Sequence, residues 1–121
     1  MMLIGQLAAE TGLSIRTIRF YETKKIVLPT ARDPHGNRLY DDEAVHWTKF
    51  VAYLRQTGMS LADLAHYRQL VDQGISTLPA RIELLKQQRA KVVQQIEAKR
   101  VQLQQIDHKL SHYQSDAERF L

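Results

Sequence analysis

Cysteine is absent from this chain of 121 residues, and with it go disulfides, thiolate metal sites and thiol nucleophiles. No apolar run approaches the roughly 18 residues that a membrane-spanning helix needs, so no membrane association is expected. The opening MMLIGQLAAETG lacks the basic start of an export signal, and an intracellular, cytoplasmic location is expected. No glycine-rich phosphate loop occurs, and Ser14, Ser60, Ser76, Ser111 and Ser115 read as helix caps or tail residues. Catalysis therefore finds no support in the sequence, and no cofactor is expected. His108 and His112, spaced i, i+4, could face one metal ion, but two imidazoles without a nearby third ligand make a poor site. His46 and His66 read as structural.

What is present is unevenly distributed. The formal charge is +4. Between Ser14 and Tyr40 stand six basic residues (Arg16, Arg19, Lys24, Lys25, Arg32 and Arg38) against two acids, Glu22 and Asp33. Residues 41–75 reverse this, with three bases and five acids. Positive charge gathered in one segment suits a surface for phosphates, although a solvated face gives the same count.

Leu3, Ile4, Leu7 and Ala8 recur at helical spacing, and Gly12 supplies a stop. Ser14 then suits the N-cap of a second helix reaching to about Lys24, so that residues 3–24 read as a helix-turn-helix. At about 100° per residue, Ile15, Ile18 and Glu22 fall on one side of the second helix. Arg16, Thr17, Phe20 and Lys24 fall on the other, with Arg19 and Tyr21 on the flanks. Arginine can grip a guanine edge with two hydrogen bonds, and threonine offers a hydroxyl or a methyl. Tyrosine and lysine suit phosphate oxygens. Phe20 either joins that outward face or packs into the core. Glu22 is expected to pair with Arg19 at i, i+3.

Pro29 and Pro34 forbid a continuous helix through residues 26–40. Asp33-Pro34-His35-Gly36 is turn chemistry, so Thr30–Arg32 and Arg38–Tyr40 read as the strands of a hairpin. This is a wing over about 29–40, with Arg32 and Arg38 placed to reach phosphate. Asp41, Asp42 and Glu43 favour the start of a third helix over about 42–57. Ser60 to Asp63 resembles a capping box for a fourth over about 60–73. The expected class is mainly α, with residues 1–75 forming a winged helix-turn-helix domain.

Residues 76–121 differ in kind, reading as a dimerisation helix with a short tail. Beyond Pro79 neither glycine nor proline interrupts the chain. Ile82, Leu85, Arg89, Val92, Ile96, Lys99, Leu103, Ile106, Leu110 and Tyr113 alternate at +3 and +4, a heptad seam over more than four repeats. A narrow apolar seam on a helix about 55 Å long, at 1.5 Å per residue, wants an identical partner. Arg89 and Lys99 flank its centre near Ile96, so an antiparallel pairing would bring each near acids of the other chain.

Helix-turn-helix, wing, helix pair and heptad helix, in that order, resemble the MerR family of bacterial transcription regulators. The resemblance is carried by Ile4-Gly5-Gln6-Leu7 and by Ser14-Ile15-Arg16-Thr17-Ile18-Arg19-Phe20-Tyr21-Glu22, similar to the family's "TxRYYE" recognition helix. Leu28-Pro29, Arg32 with Gly36-Asn37-Arg38-Leu39-Tyr40, and Thr57-Gly58-Met59-Ser60-Leu61 continue it through the wing and the following helix turn. It implies a homodimer held by an antiparallel coiled coil on a pseudo-palindromic site in double-stranded promoter DNA. An effector would trigger a distortion of that DNA, letting RNA polymerase engage both promoter elements. Arg16 and Thr17 would lie in the major groove, Arg19, Phe20 and Tyr21 along its backbone walls, and Arg32, Arg38 and Tyr40 in the wing.

Phe50 to Ser60 looks most like the short branch of the family that responds to aldehydes and nitrosative stress. A cysteine commonly stands there where this chain has Tyr53, so any signal is expected to be a non-thiol one. A small-molecule effector would find aromatic and soft apolar surface at Trp47, Tyr53, Met59 and Tyr67, with Phe120 from the tail. The alternative is that these residues simply pack the small core. An excisionase-like architectural DNA-binding protein shares the winged fold but needs no heptad helix, and a coiled-coil scaffold with an incidental basic segment is the other rival.

Overall fold

A computed structural model describes residues 1–116. Along them run β1 (Met2–Leu3), α1 (Ile4–Thr11), α2 (Ile15–Thr23), β2 (Ala31–Arg32), β3 (Arg38–Tyr40), α3 (Asp42–Gln56) and α4 (Leu61–Asp72). A 3-10 turn at Ile75–Thr77 leads into α5 (Leu78–Ser115). The class is mainly α: a winged helix-turn-helix followed by one long helix. The chain divides into two compact units, Met1–Leu84 and the segment from Leu85 onward.

Local chemistry sets the helix ends. The Leu3 N–H donates to Gln6 Oε1 at 3.0 Å ahead of α1. Gly12, at φ 73°, returns its N–H to the Ala8 carbonyl, a left-handed exit that a side chain would strain. Ser14 Oγ accepts the Thr17 N–H at 3.0 Å and opens α2. Asp41 and Ser60 do the same for α3 and α4, accepting from Ala44 and Asp63 at 2.8 and 3.0 Å. Each such cap stabilises its helix by about 1 kcal/mol.

The exit from α2 decides where the wing begins. Lys25 sits at φ 60°, a left-handed conformation without glycine. Its N–H returns to the Glu22 carbonyl, and the Ile26 N–H to that of Tyr21 at 2.8 Å, the paired bonds of a Schellman motif. The reversal sends Ile26 and Val27 into the core, both fully buried. From α3, the Trp47 indole N–H donates to the Ile26 carbonyl at 2.8 Å and ties the reversal to the helix pair.

β3 is the centre of a three-stranded antiparallel sheet ordered β1-β3-β2. Arg38 and Leu39 pair with Arg32 and Ala31, while Leu39 and Tyr40 pair with Leu3 and Met2. The sequence pattern put Leu3 at the start of a helix; it belongs instead to β1, a strand too short to show any alternation.

Leu7, Ile18, Tyr40, Val51, Met59 and Leu64 fill the core beneath these elements, none more than 1% exposed. Each such apolar side chain contributes about 1.5–3 kcal/mol by leaving water. α5 is the opposite case. Its seam residues Ile96 and Ile106 are 61% and 63% exposed. Among the described residues, no helix is long and apolar enough to cross a membrane.

Candidate nucleic-acid interface

α2 presents Arg16, Arg19 and Lys24 to solvent. Phe20 is 43% exposed, and the Lys24 ammonium stands 5.6 Å from its ring centre. That favourable contact holds both side chains on one outer surface. Phe20 therefore belongs to the outward face, the first of its two expected places. Thr17 is half-buried, its hydroxyl oxygen accepting from Ser14 at 2.9 Å.

Two placements differ from the helical wheel. Tyr21 is 4% exposed and packs inward, since α2 is covered along that flank by the segment it folds back upon. Glu22 does not pair with Arg19. Its carboxylate accepts a hydrogen bond from the Tyr40 hydroxyl and lies 2.5 Å from Arg38 Nε. A wheel compares only neighbours on the same helix, and both of these partners are brought by β3.

Tyr40 lies in the wing strand β3 as expected, but its side chain is fully buried in the core, which corrects its expected role on the DNA-facing surface. Burial and the neighbouring Glu22 carboxylate push its phenol above the usual tyrosine range. Arg38 is half-buried, and its Nε meets Glu22 as an ion pair without hydrogen-bond alignment. One edge of that guanidinium faces the protein rather than a phosphate.

The wing tip is organised by the other acid. Asp33 Oδ1 accepts the N–H groups of His35 and Asn37 at 2.9 and 2.8 Å, and Oδ2 accepts Asn37 Nδ2 at 3.0 Å. The hydrogen bond from the Asn37 backbone leads in holding this carboxyl below its usual range. Arg32 Nη1 donates to the Gly36 carbonyl at 2.9 Å and closes the loop while its side chain stays exposed.

Both acids of the basic segment thus serve as scaffold, and the charged side chains that α2, its cap and the wing leave exposed (Arg16, Arg19, Lys24 and Arg32) are all basic. Glu22 was the organising residue that the sequence reading missed. The available signal was that it is one of two acids among six bases.

The residues expected to line an effector site are brought together only in part. Trp47 stacks on Tyr67 with ring centres 5.4 Å apart, and the Arg68 guanidinium lies 5.2 Å from the Trp47 ring. Trp47 also borders a groove of about 670 Å³ with Leu28, Pro29, His46, Arg68 and Asp72. Met59 and Tyr67 are core residues instead, 1% and 9% exposed, Met59 in the turn between α3 and α4 and Tyr67 on the buried side of α4. Tyr53 is 68% exposed and does not line the groove. Phe120 lies outside the described residues. Among the described residues no cluster of three histidines or acids is set to hold a metal, and His112 approaches Asp116 at 4.0 Å.

Residues 2–76 match the pattern of the MerR HTH family regulatory proteins. The chain is 33% identical over 93 residues to the HTH-type transcriptional regulator AdhR of Bacillus subtilis, covering 77% of this chain and 66% of that protein. A solved structure from Listeria monocytogenes, assigned to the MerR family of transcriptional regulators, superposes with a TM-score of 0.92 at 31% identity. It covers 98% of this chain and 90% of that one. HiNmlR, a MerR family regulator lacking the sensor domain and solved bound to promoter DNA, superposes at 0.84 with 29% identity, over 96% of this chain and 92% of that one. Pattern, sequence and fold agree, and the chain belongs to the MerR family of helix-turn-helix transcriptional regulators.

Proposed function

We propose that this protein is a homodimeric, sequence-specific regulator that binds a pseudo-palindromic promoter site and controls transcription by distorting the DNA. The observation that carries this reading is the outward face of α2, where Arg16, Arg19, Phe20 and Lys24 lie exposed beside a basic wing. Arg16 and Thr17 read base edges, while Arg19, Lys24 and Arg32 neutralise phosphates. HiNmlR, similar in fold, was solved on promoter DNA, which supports the same use of this face. RNA polymerase is engaged indirectly, through the promoter.

Dimerisation uses the apolar seam of α5, Ile82, Leu85, Val92, Ile96, Leu103, Ile106 and Leu110, as an antiparallel coiled coil. Without cysteine, the signal is a non-thiol small molecule or another non-thiol input, with Trp47 and its groove as the candidate contact. An excisionase-like architectural role fits the wing but leaves the seam unused. A gel-shift against the DNA upstream of the protein's own gene separates the readings. A regulator shifts one sequence selectively as a dimer, an architectural protein bends many, and a scaffold shifts none.

A further inference from the structure

The wing is too small to hold its own position. β2 and β3 pair at Ala31↔Leu39 and Arg32↔Arg38, with the Thr30 and Asp33 N–H groups donating to the Leu39 and Asn37 carbonyls on either side, and an isolated two-stranded hairpin is marginal in water. β1 supports β3 at Leu39 and Tyr40 but does not reach Arg38. Asp33 orders the tip internally without tying it to the body. Among the described residues, the hydrogen bond and ion pair of Glu22 are the polar contacts that join α2 to the wing. The Glu22 side chain is 9% exposed, so its charge is removed from water and answered by these two partners. Losing one leaves the other polar group buried without its counterpart.

We infer that Glu22 is the positioning residue that fixes the wing against the recognition helix, so that Arg32 reaches phosphate while Arg16 reaches a base edge. This rests on the DNA-binding role proposed above. Glu22 touches no DNA in this scheme; it acts through Arg38 and Tyr40. A helix and a wing that must engage adjacent features of one duplex need a set separation, and a single carboxylate shared between them supplies it.

Three full-length variants test this: Glu22→Gln, Arg38→Ala and the double substitution. Amide hydrogen exchange is first measured on the free protein. In Glu22→Gln the wing amides of residues 31–40 exchange about tenfold faster or more, while those of α1 and α2 stay within about twofold, as local rather than global opening requires. The double variant exchanges no faster than Arg38→Ala alone, because the two substitutions break one interaction. Hydroxyl-radical footprints on the selected operator then lose their outer, wing-dependent protections in Glu22→Gln, while base preference under α2 is unchanged. Equal acceleration in α2 and the wing would mark Glu22 as a general stability residue and overturn the inference. So would an unaltered wing, or a loosened wing with an unaltered footprint. Failure of the unsubstituted protein to bind any operator would instead sink the proposed function, a result the exchange data alone cannot produce.

Discussion

Ile18 in α2 is fully buried and Ile96 in α5 is 61% exposed, although each sits at an apolar position repeated at helical spacing. The difference lies in what surrounds them. Met1–Leu84 brings short helices and a sheet together from different directions, so an apolar face meets another within the same chain. α5 carries its apolar residues as a stripe along one 38-residue helix. In the dimer proposed above, such a stripe finds its complement in a second copy of the helix. Apolar spacing alone therefore identifies a face to be covered, while the geometry of neighbouring elements decides whether the cover comes from the same chain.

The largest effect is expected at the seam. Ile96→Asp removes about 1.5–3 kcal/mol of apolar burial from each chain and places two charges in the interface, together roughly 4 kcal/mol or more per dimer. Sedimentation at micromolar concentration should then show monomer, with Trp47 fluorescence like that of the parent. A persistent dimer would break the comparison, since it would mean the exposed stripe is not what joins two chains. Next comes Ile18→Ala, expected to lower unfolding stability by about 2–5 kcal/mol through a cavity in the first unit. Urea titration followed by Trp47 fluorescence measures it, and a loss below half a kilocalorie would place Ile18 with the tolerant surface positions.

Smaller effects separate the two exposed basic surfaces. Arg16→Ala should weaken operator binding by about 1–3 kcal/mol and relax preference at one base pair. Arg32→Ala should weaken all sequences alike and flatten the salt dependence, as loss of a phosphate contact does. Exchanged outcomes in a binding-site selection would reverse the roles given to α2 and the wing. The smallest change is expected with pH. The Asp33 carboxyl titrates below its ordinary 3.8 in the folded wing, so its contribution is complete above that value and fades as pH falls through the lowered one. Amide chemical shifts of His35 and Asn37 should follow that titration while those of α1 do not.

Much of the fold was legible because its punctuation is local. Ser14, Asp41 and Ser60 cap helices, Gly12 ends one, and Asp33-Pro34-His35-Gly36 turns the wing, each by bonds spanning a few residues. The basic outward face of α2 could be read from helical geometry alone, including Arg16, whereas Phe20 was left between that face and the core. What could not be read depends on distant partners. The Glu22 contacts cross to β3, Tyr40 is buried by elements on both sides of it in the chain, and Met59 turns inward only once α3 and α4 close together. The candidate effector residues were chosen by chemistry, and nothing in their spacing distinguishes Trp47 at a groove from Tyr67 in the core.

Lys25 gives the chain an unusual genetic position. Its left-handed backbone, at φ 60°, suits glycine or asparagine better than lysine. A lysine codon becomes an asparagine codon by a single base change in its third place, whereas glycine requires a double change. Relief of the strain should raise stability by about 0.5–1 kcal/mol, the scale typical of left-handed positions relieved by a permissive residue. Error-prone libraries selected for thermal tolerance should therefore recover Lys25→Asn early and Lys25→Gly rarely, even where Gly proves the more stable by melting temperature. If neither substitution raises that temperature, the reversal after α2 holds lysine without strain. The accessible route through sequence space would then be set by the codon and the conformation together, at a site that neither the core nor the operator dictates.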